Sequence, residues 1–121
     1  MTLYVAMSLS ELEHKRIERA VGKFMEKRRP PPHIRSKLDL GFRIDGQNVE
    51  IFSIRPRWNK PDELSEQSMA KATFVRTLGT WRVFWQRADL KWHRYEPAPE
   101  VSDIESFLEL VDKDEYSCFF G

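Results

Sequence analysis

Hydrophobic residues recur along this chain with two periods, and the changes of period mark its elements. From Leu9, the residues Ile17, Ala20, Val21 and Phe24 fall on one stripe at helical spacing, with Arg16, Arg19, Lys23 and Lys27 off it among glutamates. Ser10 with Glu13, or Ser8 with Glu11, offers a capping box at the start, and Pro30-Pro31-Pro32 stops the helix. Next the period becomes two. Leu38, Leu40, Phe42, Ile44, Val49 and Ile51 share one face of a hairpin turned at Asp45-Gly46, the favoured type I′ pair. That turn sets Ile44 opposite Gln47, Phe42 opposite Val49 and Leu40 opposite Ile51.

Arg55-Pro56-Arg57-Trp58 closes the second strand, since Pro56 cannot donate to a ladder. Residues 59–68 are polar and carry neither period, so they read as a long loop, a kind of connection that is often functional or mobile. A third strand runs from Lys71 to Thr77 and turns through Leu78-Gly79, where a bulged loop with Gly79 left-handed is one option. Either Phe74 or Val75 then joins the face of Trp81.

The stretch Trp81 to Tyr95 holds three of the four tryptophans and reads as two strands meeting at Arg87-Ala88-Asp89-Leu90. A four-residue loop on a type I turn puts Trp85 opposite Trp92 and Val83 opposite Arg94, with Trp81 on the same greasy face. Phe84 then opposes His93, Gln86 opposes Lys91, and Arg82 opposes Tyr95 on a basic, partly wet face. Beyond Glu96-Pro97-Ala98-Pro99, Ser102 with Glu105 makes another capping box. Ile104, Phe107, Leu108 and Val111 keep core-facing helical spacing. Tyr116 to Phe120 is a short apolar end that docks as a strand or plugs the core. The whole order predicts an α+β domain: an antiparallel five-stranded meander sheet with an N-terminal and a C-terminal helix packed on one face.

The chain of 121 residues is a single domain by length, with residues 1–8 a possible flexible extension and Met7 a natural start. Twenty basic against 19 acidic residues leave a net charge of +1, so attraction to an anionic partner has to come from local patches. One cysteine excludes an intrachain disulfide and fits a reducing cytosol. No apolar run is long enough to span a membrane, and the opening residues lack a signal peptide's basic and apolar regions. The expectation is a cytoplasmic monomer or weak homodimer with no membrane partner and no cofactor.

Candidate chemistry is sparse. His14, His33, His93 and Cys118 are scattered without ligand spacing, so no metal site is expected. Cys118, between Ser117 and Phe119, reads as a small buried hydrophobe. Asp39, Asp45 and Glu50 faintly suggest a metal-dependent nuclease hairpin, but Glu50 is followed by Ile51-Phe52 and lacks the needed lysine. The remaining set is basic and aromatic: Arg55, Arg57, Trp58, Lys71, Arg82, Lys91, His93, Arg94 and Tyr95. Cations beside stacking rings are how sheets hold single-stranded nucleic acid. His93 is the one candidate acid or base, with Arg or Lys steadying a phosphate in a small ribonuclease. The plain alternative is cross-strand packing, with Arg and Lys stems laid over rings.

Longer motifs are more specific. ArgArgProProProHisIleArg, LeuAspLeuGlyPheArgIleAspGlyGlnAsnValGluIle, IleArgProArgTrp, AlaLysAlaThr, LysTrpHisArgTyrGluProAlaProGlu and the closing CysPhePheGly together resemble the small bacterial family known as domain of unknown function 3024. The resemblance runs from about Leu9 to Gly121. It implies a bacterial, stand-alone, cytoplasmic domain and carries over no activity, cofactor or catalytic residue. The leading functional expectation is a binding module for single-stranded nucleic acid or another polyanion. The alternatives are a small hydrolase such as a ribonuclease using His93, and a protein-interaction domain using exposed tryptophans.

Overall fold

The computed structural model describes residues 9–120. The readings of residues 1–8 as an extension, of Met7 as a start and of Ser8 as a cap lie outside the described residues. Helix α1 (Glu11–Arg28) starts at Ser10, whose hydroxyl accepts from the Glu13 backbone while the Glu13 carboxylate accepts from the Ser10 N–H. It buries Ile17, Val21 and Phe24, roughly 1.5–3 kcal/mol each by apolar area. Where the prolines end it, Arg29 grips Asp39 through two hydrogen bonds of 2.8 Å, tying the helix exit to the first strand.

Strands β1 (Asp39–Asp45), β2 (Asn48–Arg57), β3 (Lys60–Val75), β4 (Thr80–Gln86) and β5 (Trp92–Arg94) form an antiparallel meander. The short β6 (Glu100–Val101) pairs with β4 at Trp81 and Arg82, a strand that the sequence pattern did not announce. Helix α2 (Ile104–Lys113) follows. Its cap is Asp103, whose carboxylate accepts from the Ser106 N–H at 2.8 Å, rather than Ser102 one residue earlier.

Both helices lie on the sheet face that carries Val49, Ile51, Ala70, Ala72, Trp81 and Val83. Alternation along β1 and β2 assigns the faces as expected, although the turn does not. The loop is Gly46-Gln47, with Ile44 opposite Val49 and Phe42 opposite Ile51. Gly46 takes φ +59 while Gln47 stays at negative φ, the pattern of a type II′ turn. The pairing slips by two residues, and an even slip leaves every side chain on its predicted face.

At the next turn Gly79 is left-handed at φ +64, and Phe74 meets Trp81 with ring centroids 5.1 Å apart. The C-terminal segment is a plug. Phe119 packs on Tyr95 at 4.9 Å, and the Asp114 carboxylate accepts from the N–H groups of both Phe119 and Phe120 at 2.9 Å.

Two further expectations need correction. Residues 59–68 are not a loop: β3 begins at Lys60, and Trp58-Asn59 is a tight turn. The β4–β5 register also differs by one residue. Phe84 opposes Arg94, Trp85 opposes His93 and Gln86 opposes Trp92. The cause is Leu90, which adopts φ 63 after the type I turn closed by the Leu90 N–H on the Arg87 carbonyl at 2.8 Å. One left-handed residue after such a turn adds a residue to the loop, and an odd slip exchanges the faces.

Candidate anion-binding cleft and arm

The exchange of faces redistributes the basic-aromatic set. His93 moves to the helix side beside Trp85, and Tyr95 is core, 2% exposed against Phe119. Burial, with the Cys118 sulfur nearby, pushes the Tyr95 phenol above its usual pKa. Trp92 moves the other way, onto the helix-free face. There Lys71 stands over Trp92 at 4.7 Å and over Phe84 at 5.1 Å. Burial lowers the Lys71 pKa, and the charge of Glu50 opposes that shift.

The helix-free face is largely satisfied by its own residues. Arg43 lies over Phe52 at 4.3 Å and pairs with Glu50 at 3.9 Å and with Glu66. Arg82 stands 3.9 Å from Glu100. Ser68 donates to Glu50 and Thr73 to Asn48. A face of interleaved pairs offers little net field to an anion. Arg82 and Lys71 are here, Lys91 is exposed in the β4–β5 loop, and Tyr95 is absent from the surface; these residues do not form one site.

Arg55, Arg57 and Trp58 have a different setting. Pairing with β1 ends at Ile54 and pairing with β4 ends at Ala70, so the rest of β2 and β3 projects as a two-stranded arm. Trp58 sits at its turn, 93% exposed. Ser53 and Arg55 share its helix-side face by alternation, and Ile54, Pro56 and Leu64 the other, while the pairing shifts between Pro56 and Arg57 as the turn begins. Arg57 pairs with Glu63 at 3.2 Å. Among the described residues Arg55 has no ion pair or hydrogen bond from its side chain.

At the base of the arm a cleft of about 530 Å³ opens between the end of α1 and the C-terminal plug. Lys27, Arg28 and Arg55 line it, and among the described residues no acidic side chain does. Asp112, just outside, pairs with Lys27 at 2.7 Å and with Arg28 at 3.6 Å. Arg28 also lies 4.1 Å over the Phe120 ring. Leu38, Leu40 and Met69 supply apolar lining beside the polar Gln67, Ser68, Gln86 and Ser53, the last of which is 6% exposed and has a hydroxyl that bonds to no other described residue.

Cys118 lines this cleft and also a second cavity holding Trp85, Arg87 and His93, so the plug is the wall between them. Burial raises the Cys118 pKa, which disfavours the thiolate. His93 Nε2 stands 2.8 Å from Asp89, which also accepts from the Lys91 N–H at 2.9 Å. That backbone bond, then His93, holds the Asp89 carboxyl below its ordinary range. Among the described residues no cluster of three His, Cys, Asp or Glu side chains is placed to hold a metal. Nor is any helix long and apolar enough to cross a membrane.

Of the sequence candidates, Arg55 lines the cleft, Arg57 and Trp58 extend from it, and His93 lies beyond the wall. Lys27, Arg28 and Ser53 were missed. Cations at a helix C-terminus are ordinarily accounted for by the helix dipole, but Ser53 stands out as a hydroxyl inside the apolar run Ile51-Phe52-Ser53-Ile54.

Fold and cleft together define a small antiparallel α+β module with a basic cavity beneath a projecting ribbon. The chain belongs to the family described as Domain of unknown function (DUF3024), whose model matches residues 9–121. Comparison with curated proteins and with solved structures finds no match.

Proposed function

We propose that this chain is a binding module that takes single-stranded nucleic acid or a comparable polyanion along the helix-side face of its arm and into the cleft. The observation that carries this reading is the grouping of Lys27, Arg28 and Arg55 around one cavity with, among the described residues, no acidic lining side chain. Trp58, open to solvent at the arm tip, offers a ring on which a base could stack beyond Arg57 and Arg55. With a net charge of only +1, such a local patch is where an anion would be drawn. Lone Cys118 suits the reducing cytoplasm of a bacterium, where the module would act as a monomer or weak dimer.

The test is fluorescence anisotropy of labelled single-stranded RNA and DNA across a salt series. Three phosphate contacts on a single strand give a slope of about −2 in log affinity against log salt, roughly a 20-fold loss for a fourfold rise in salt. No binding even at low salt ends the reading.

A further inference from the structure

We infer that the cleft recognises the end of the strand, taking a terminal phosphate monoester rather than an internal phosphodiester; the inference rests on the polyanion reading above. Three observations converge. The first is charge: three cations line the cleft and, among the described residues, Asp112 is the one carboxylate that touches any of them, one negative charge shared by Lys27 and Arg28. An internal diester carries one negative charge, whereas a terminal monoester carries about −1.5 to −2 at neutral pH. The monoester is the better match.

The second is the hydroxyl of Ser53, a residue only 6% exposed that opens onto the cleft. A hydroxyl without a partner in the protein bonds to whatever reaches it from the cleft, water or ligand. Ser53 lines the cleft and bonds to no other described residue, which leaves its hydroxyl for a group that enters from the cleft. A phosphate with three free oxygens can accept from Ser53 and from the cations together.

The third is the wall. A strand running from Trp58 past Arg57 and Arg55 meets the C-terminal plug, where Cys118 separates the cleft from the next cavity. The plug is fixed by the Phe119–Tyr95 packing and by the two N–H bonds to Asp114. A chain that enters from the arm therefore stops there, as an end would.

The experiment uses the full chain and one short oligonucleotide in several forms: a phosphate on one end, a phosphate on the other, and hydroxyls on both. One phosphorylated form binds about tenfold or more tighter than the hydroxyl form, the scale of a charge-assisted contact. Ser53→Ala and Lys27→Gln each shrink that advantage, whereas Arg57→Gln weakens all forms alike and leaves it intact. Thermal melts of the variants keep a folding defect from passing for a binding one.

Equal binding of all forms overturns the end-recognition inference and leaves the polyanion reading standing. An end-phosphate advantage that survives both Ser53→Ala and Lys27→Gln in folded protein overturns the assignment to this cleft. Failure of every form to bind at low salt overturns both readings.

Discussion

The ring of Phe52 lies so close to Gly41 that a Cβ on residue 41 would stand 2.6 Å from its Cε2 and 2.8 Å from its Cζ. Arg43 covers the same ring at 4.3 Å, so the ring is pinned from two sides on the helix-free face. Gly41→Ala is expected to destabilise the fold by about 1–3 kcal/mol, the scale of an overpacked site. Thermal unfolding checks it, and Phe52→Leu added to Gly41→Ala should recover part of the loss. An unchanged melting temperature for the single variant would show that the contact relaxes without strain.

Leu90 is left-handed and 71% exposed in the β4–β5 loop. A Cβ resists that conformation and glycine does not. Leu90→Gly is expected to stabilise the protein by about 0.5–1 kcal/mol, seen as a higher urea midpoint. A lower midpoint would mean that the Leu90 side chain is valued for something besides its backbone.

Asp114 closes α2 at φ 42 and accepts from the N–H groups of Phe119 and Phe120. Asp114→Ala loses both acceptors and places a Cβ residue with no such bonds in a left-handed cap. We expect a cost of about 1–3 kcal/mol and faster amide exchange at Phe119 and Phe120. Protection unchanged at those two amides contradicts the clamp.

Acid should weaken the fold. The Arg29 guanidinium beside Asp39 holds its carboxyl below the usual range, Arg76 does so for Glu13, and the Ser106 hydroxyl and N–H do so for Asp103. A carboxyl depressed in the folded state contributes stability that is present above its unfolded value of about 4 and is lost as pH falls through the lower folded value. Urea midpoints should therefore be flat from neutral pH to about 5 and fall below about 4. Asp39→Asn should flatten that fall. A midpoint as high in acid as at neutral pH removes these carboxylates from the stability argument.

Much of this architecture was legible in the residues, and the failures have local causes. The Ser10–Glu13 box and the stripe Ile17, Val21, Phe24 gave α1, because cap chemistry and periodicity agree there. The faces of β1 and β2 survived a misplaced turn because the slip was even. The β4–β5 faces did not, because nothing in Leu90 announces a left-handed residue. The arm hid for another reason. A ribbon with solvent on both sides needs no apolar alternation, so Pro61, Asp62 and Glu63 looked like loop. With the β4–β5 register unread, Arg82, Lys91, His93 and Tyr95 read as one basic face, and with the arm unread Arg55, Arg57 and Trp58 read as the border of a loop. Arg55 and Ser53 instead share the helix-side cleft with the end of α1.

The proposed anion site lies on the helix side, and paired charge reversals test that placement most directly. Arg55→Glu and Arg82→Glu change net charge equally, and both positions are exposed. Arg55 borders the cleft, and Arg82 lies on the opposite face near Glu100. Measured against one labelled single strand at low salt, Arg55→Glu should abolish most of the binding and reduce the salt slope, while Arg82→Glu leaves both close to the parent values. Equal losses from the two reversals, or a larger loss from Arg82→Glu, contradict the placement.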